Sequence, residues 1–352
     1  MNGVRIAGIG RYAPAGVLTN QDLERLVETS DEWIVQRTGM RRRHIAAPDQ
    51  ATSDLAVPAA LAALDAAGKQ PKDIDVIIVA TATPDYLFPA TACLVGNRLG
   101  VAGTPAFDIS IACSGFVYAT TTAASLIRGG LYKTALVIGA ETLSKIVDYS
   151  DRGTCVLFGD GAGAAVLERS DEDCFLGASL GADGADPTLL YLPGGGSRTP
   201  FSSLNGEFAA QRLGYVHMQG QSVFKVAVNM MAASTTAALA QAGLSPDDVD
   251  FIVPHQANSR IIDATVKMLK LPPEKCIVNI EEYGNTSSAS IPLALADAVA
   301  SGRVKDGNIV VLVAFGGGLS WGANVWRWSG ARVGRVPAEF VEPERAAAVS
   351  KR

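Results

Sequence analysis

The chain has 352 residues, 48% of them hydrophobic and 18% charged, which is ample for a large core and too long for one small domain. A formal charge of −5 provides no global field for nucleic acid or an anionic membrane, so neither is expected as a partner. Five singly scattered cysteines with no CxxC argue against a disulfide framework or a zinc site and fit a reducing compartment.

In chain order, MNGVRIAGIG opens as an apolar strand without the basic-then-apolar pattern of a signal peptide, and no apolar run reaches transmembrane length. A cytoplasmic protein is expected. Arg41, Arg42 and Arg43 form the only dense basic run, expected as a solvated turn. SDLAVPAALAALDAAG reads as a helix and IDVIIVATA as a buried strand. PAFDISIA is a strand to about Ile111; Cys113 follows, then an apolar helix ending near Gly129–Gly130. TALVIGA and AAVLE are further strands. FGDGAGAAVLE, with its GxGxG, leads into a strand, not a helix, so it is no dinucleotide fingerprint. SVFKVAVNMMAASTTAALAQAG is a second long helix, followed by strands DFIVPH, CIVNI and NIVVLVAFG. Strands alternating with helices predict a largely parallel sheet covered on both faces.

The pattern repeats. LDAAGKQPKDIDVIIV from Leu64 matches LAQAGLSPDDVDFIV from Leu239, and LVIGA from Leu136 matches VLVAF from Val311, both 175 positions on. Two similar α/β halves are expected, at 1–170 and 171–329. The segment 330–352 has no strand counterpart in the first half and is expected outside the fold, as an appendage or disorder.

Four places could carry chemistry. Cys113, at the start of a buried helix, faces free N–H groups that lower a thiol pKa; it is a nucleophile or a small buried hydrophobe. His255 follows a buried strand at the same sheet end, where a satisfied turn residue is the alternative. Asn285, in GNTSS before an apolar helix, holds the place in the second half that Cys113 holds in the first. Gly316, Gly317 and Gly318 allow backbone N–H groups to face a cavity, or form a tight turn.

Cys in IACSGF, His in PHQAN, Asn in GNTSS and the closing GGG–WG segment, in this order, resemble β-ketoacyl-acyl carrier protein synthase III, one of the thiolase-like condensing enzymes. The likeness runs from the first strand to about Trp328. It implies a thiolase-like fold: two duplicated βαβαβαββ halves in a layered α-β-α-β-α arrangement. It also implies a ping-pong reaction, decarboxylative condensation of an acyl-CoA primer with malonyl-acyl carrier protein, initiating type II fatty acid synthesis. Cys113, His255 and Asn285 would be catalytic, with the N–H groups of Cys113 and Gly317 as oxyanion hole. No metal or other cofactor is implied. By the same resemblance Thr29, Trp33, Arg37, Arg152, Phe224, Ala257 and Asn258 would bind CoA. Phe88 would enter the acyl pocket of a homodimer partner. Lys225, Arg260, Lys267 and Lys270, the last three on one predicted helix, would dock the acidic carrier; Met268 departs from the family's basic pattern there.

A degradative thiolase would need a second cysteine in GGGLSWG, which has none. Acyl transfer without carbon–carbon bond formation would not need Asn285, and a non-catalytic partner would lack Cys113. A same-fold synthase for a polyketide starter, an alkylquinolone-type signal or a long-chain ketone keeps the same residues and stays open.

Overall fold

The computed structural model describes residues 3–201 and 212–349. The first half builds β1 (Gly3–Tyr12), β2 (Gly16–Thr19), β3 (Arg42–Ile45), β4 (Val76–Ala80), β5 (Ala106–Ile109), β6 (Thr134–Thr142) and β7 (Asp160–Ser170). The second builds β8 (Phe175–Ala182), β9 (Leu190–Tyr191), β10 (His217–Met218), β11 (Phe251–Pro254), β12 (Ile309–Gly316) and β13 (Ser320–Arg327), followed by β14 (Arg332–Val333) and β15 (Arg345–Ala346).

The two large sheets run β14-β1-β7-β6-β4-β5 and β11-β12-β13-β8, beside the small sheets β15-β2-β3 and β10-β9. Their pairing repeats residue for residue. Ile77 faces Leu136 in the parallel β4–β6 pair, and Ile252 faces Val311 in the parallel β11–β12 pair, 175 positions on. The turns entering these strands repeat too. Pro71–Asp73 and Pro246–Asp248 are equivalent short 3-10 helices, each closed by a capping box.

Alternation along β4 sorts the layers. Ile77 and Val79 pack outward on the helix Thr52–Ala67, whereas Val76, Ile78 and Ala80 face inward. The inward cluster joins both sheets through two sandwiched helices, Gly115–Arg128 and Ser290–Ala300. The helix Gly220–Gln241 covers the outer face of the second sheet. The result is the α-β-α-β-α sandwich expected. Gly220–Gln241 is long and apolar enough to cross a membrane, contrary to expectation, but half of that stretch is buried, with Val223, Val228, Met231 and Leu239 packed into the core.

Three local expectations need correction. CIVNI is not a strand: Cys276 makes a single bridge to Ile252, because the 3-10 turn Pro273–Lys275 and the helix Ile280–Tyr283 leave no room for more. The run Arg41–Arg43 is not a solvated turn. Arg42 opens β3 and pairs with Glu282 and Glu344, and Arg43 is fully buried. Its guanidinium donates to Asn20 Oδ1 at 2.6 Å and to the Val156 carbonyl, and burial pushes its pKa down to about 10. The tail does not lie outside the fold. β14 pairs with β1 and β15 with β2, and Gly334 crosses Ala62 so closely that a Cβ would stand 1.8 Å from its carbonyl oxygen.

Candidate active site

After β5 the chain turns through Ala112 at φ 47° into the 3-10 turn Ala112–Ser114, which opens the sandwiched helix Gly115–Arg128. Ser287, 175 positions on, has φ 48° and heads the matching turn Ser287–Ala289 before the helix Ser290–Ala300. The positional counterpart of Cys113 is therefore Ser288, and Asn285 lies three residues earlier, where the chain emerges from Gly284. The two turns pack on each other at the interface of the halves.

Cys113 is buried at 6% exposure. Burial pushes its thiol up to about 12; the Ser287 hydroxyl opposes this and the nearby Glu141 carboxyl reinforces it. Desolvation thus outweighs the helix start that the sequence suggested would lower this pKa. Gly316 presses on the nucleophile position: a Cβ there would stand 2.7 Å from Cys113 N and 2.9 Å from Cys113 Cβ. Gly317, the expected oxyanion residue, passes Ala112 and Leu190, whose carbonyl would be 3.1 Å from an added Cβ.

His255 leaves β11 with its N–H on the Val313 carbonyl at 2.8 Å. Its Nδ1 meets Ser290 Oγ at 2.6 Å, and that oxygen also accepts the Gln256 N–H at 3.3 Å. Burial pushes the imidazole down to about 3, so it is neutral at ordinary pH. Asn285 is fixed by its backbone, which donates to Leu157 O at 2.9 Å and accepts from Gly159 N at 3.0 Å. Its Oδ1 accepts the Ser287 N–H at 2.9 Å, which leaves the side-chain NH2 as a donor.

Cys113, His255 and Asn285 all line one cavity of about 660 Å³, together with Gly316. Trp33, Arg37 and Arg152 line it as well, with the guanidinium carbons 5.9 Å and 4.9 Å from the indole centroid. Phe224, Ala257, Asn258, Lys225 and Arg260 complete that wall, Arg260 lying 5.7 Å from the Phe224 ring centroid. Asn258 caps the helix Ser259–Met268 and donates from Nδ2 to the Arg37 carbonyl at 3.1 Å, which ties the two sides of the cavity together.

Some expected residues lie elsewhere. Thr29 is half-buried beside Glu28, whose carbonyl accepts from Arg152, and it does not line the cavity. Lys267 sits at the far end of the helix Ser259–Met268, and Lys270 is past it in a left-handed conformation, so the three basic residues do not share one helix. Phe88 is 86% exposed on a surface loop with Tyr86 and Leu87, away from this chain's own cavity. The sequence did not single out Ser290 or Glu141 for the positions they take. The signal for Ser290 lay in the 175-residue repeat, which sets it opposite Gly115, next to the nucleophile turn.

This duplicated sandwich, with its cavity at the junction of the halves, defines a thiolase-like condensing enzyme, an acyltransferase. Residues 107–184 match the family model 3-Oxoacyl-[acyl-carrier-protein (ACP)] synthase III, and residues 239–328 match the model for its C-terminal part. The chain is 54% identical over 330 residues to beta-ketoacyl-[acyl-carrier-protein] synthase III of Desulfitobacterium hafniense, covering 94% of this chain and 99% of that one. The solved 3-oxoacyl-[acyl-carrier-protein] synthase III of Aquifex aeolicus is 47% identical with a TM-score of 0.86, over 93% and 100% of the two chains. The priming beta-ketosynthase of the R1128 polyketide pathway is 35% identical with a TM-score of 0.87, over 94% and 97%. The chain belongs to the β-ketoacyl-acyl carrier protein synthase III family.

Proposed function

We propose that the chain joins an acyl-CoA primer to malonyl-acyl carrier protein, with Cys113 carrying the acyl group as a thioester. The observation that supports this most is the convergence of Cys113, His255 and Asn285 in one cavity that also holds the Trp33–Arg37–Arg152 cluster. A planar indole flanked by guanidinium groups suits an adenine with phosphates.

In the first half-reaction the Cys113 sulfur attacks the thioester carbon, and the backbone N–H groups of Cys113 and Gly317 hold the oxyanion. CoA leaves as its thiol. In the second, malonyl thioester loses CO2, and the electron pair passes to the thioester oxygen as an enolate. Two neutral donors suit that oxygen: the Asn285 NH2 and the His255 Nε2–H. The latter is the tautomer set when Ser290 donates its proton to Nδ1. The enolate carbon then attacks the acyl-Cys113 carbonyl, and the Cys113 sulfur departs as a thiolate that takes a proton from solvent to restore the thiol. Every step uses this chain's own residues, without metal or redox chemistry.

Phe224, Ala257 and Asn258 would line the pantetheine arm, and Lys225 and Arg260 would meet the acidic carrier at the cavity wall. Lys267 and Lys270 would extend that contact mainly by raising the encounter rate. Phe88 would complete an acyl pocket only in a second copy, so the reading includes a homodimer. The identity of 54% to a synthase III, against 35% to a polyketide-priming enzyme, favours primary fatty acid synthesis over a specialised pathway.

Replacing Asn285 by Asp tests the second half-reaction. The variant is expected to accept an acyl group from acyl-CoA but to release CO2 from malonyl-carrier protein at least about 100-fold more slowly, the usual cost of losing one oxyanion donor. Unchanged CO2 release would contradict the role given to Asn285.

A further inference from the structure

Arg43, inside β3, has no solvent exposure, yet among the described residues no carboxylate bonds to it. Its planar fork meets two neutral acceptors instead. Nη1 donates to Asn20 Oδ1 at 2.6 Å, while Nε, at 3.2 Å, and Nη2 both donate to the Val156 carbonyl. Burial lowers its pKa only to about 10, so the guanidinium stays charged near neutrality. A buried ion without an ionic partner works against folding, and in a stable fold such a residue marks a functional demand.

Val156 begins the segment that holds Asn285. Leu157 O accepts the Asn285 N–H at 2.9 Å, Gly159 N donates to Asn285 O at 3.0 Å, and Phe158 forms the parallel bridge to Asn285 between them. The Arg43 stem lies against both sides of this bridge. A Cβ on Gly159 would stand 3.2 Å from Arg43 Cβ, and one on Gly284 would stand 3.0 Å from Arg43 Cγ. Val156, Phe158 and Asn285 line the cavity, and Arg43 stays behind them.

The other end of the fork reaches the opposite wall indirectly. Asn20 Nδ2 donates to Asp31 Oδ1 at 2.7 Å and to Met40 O at 2.9 Å, and Asp31 opens the helix Asp31–Thr38 that carries Trp33 and Arg37. That helix has supports of its own. Ser30 Oγ accepts the Trp33 N–H at 3.1 Å, and Asn258 Nδ2 donates to the Arg37 carbonyl at 3.1 Å. The Trp33–Arg37 wall is therefore held by bonds that bypass Arg43, whereas the Asn285 bridge rests on its stem and head.

We propose that Arg43 is a positioning residue for Asn285: it fixes the 156–159 backbone, and through it the aim of the Asn285 side-chain NH2 in the malonyl half-reaction. An oxyanion donor works only when it already points where the charge will develop, so a small drift of its backbone slows the step. Acylation of Cys113 does not call on Asn285 and is spared. The proposal rests on Asn285 donating to the malonyl thioester oxygen.

The test compares two half-reactions in the parent, R43M and R43K: single-turnover acylation by acyl-CoA, read by intact mass, and CO2 release from malonyl-carrier protein, read as kcat and KM. R43M keeps an unbranched stem and removes the fork. It should acylate within about threefold of the parent while its kcat for CO2 release falls at least about tenfold at nearly constant KM, since the displaced donor acts in the transition state. R43K, with a cation still facing the Val156 carbonyl, should show the same split at smaller size and carries the comparison should R43M not fold. Equal losses in both half-reactions, unchanged CO2 release, or failure of both variants to fold would each overturn the proposal. A double-variant cycle separates it from the role of Asn285: in N285D, R43M should slow CO2 release no further. A slow N285D that R43M slows as much as it slows the parent would contradict the route through Asn285. An N285D as fast as the parent would instead overturn the Asn285 role itself.

Discussion

Gly316 sits against the atoms that must be placed most closely. With 2.7 Å between its would-be Cβ and Cys113 N, a methyl group there must move the nucleophile, since the nearest atom it meets is backbone. Gly316→Ala is expected to lower acylation at least about 100-fold, the scale of a 1 Å misplacement, and to lower the melting temperature as well, since overpacking a buried site costs about 1–3 kcal/mol. An acylation rate within a few-fold of the parent would show that the close approach does not matter. Residue-scale detail of this kind was only partly legible. Cys113, His255 and Asn285 could be picked from strand-end positions and residue type. Arg43 could not, because its partners are a carbonyl and an amide 113 and 23 positions away, with no charge pattern to mark them. Glu141 resembled any acid at a strand end.

At the scale of elements, the repeat carried most of the reading. Continuous apolar runs and long apolar helices identified β4, β6, β11 and β12 and the helices Thr52–Ala67 and Gly220–Gln241, because burial on both faces leaves few polar residues to confuse them. CIVNI failed because strand formation depends on a partner edge, which sequence pattern does not specify. The β11 exit also predicts a pH effect. Burial lowers the His255 pKa from 6.5 to about 3, so between those values the unfolded chain binds the extra proton. Its contribution is full above about pH 6.5 and is lost as pH falls, by at most about 1.4 kcal/mol per pH unit. Denaturant titrations of the parent and His255→Gln should show the parent losing more stability on acidification from about pH 6.5 to about pH 4. Parallel curves would contradict the buried neutral imidazole.

Over the whole molecule, function follows from two halves closing on each other. Each half alone would expose its inner cluster, and only together do the nucleophile turn and its counterpart pack on each other beside the cavity that Cys113, His255 and Asn285 line. The tail completes the assembly: β14 extends the first sheet, β15 covers β2, and Arg335 N donates to Asp65 Oδ2 at 3.1 Å. Its short strands lack apolar periodicity, which is why sequence pattern left it outside. The duplicated architecture was legible because both halves kept one spacing; the cavity's charge states were not, since they depend on desolvation at the junction. The account's central claim is that Cys113 carries the acyl group. Intact-mass measurement after exposure to acyl-CoA alone tests it most directly: the parent should gain one acyl mass and Cys113→Ala none, whereas an acylated Cys113→Ala would contradict the account at its root.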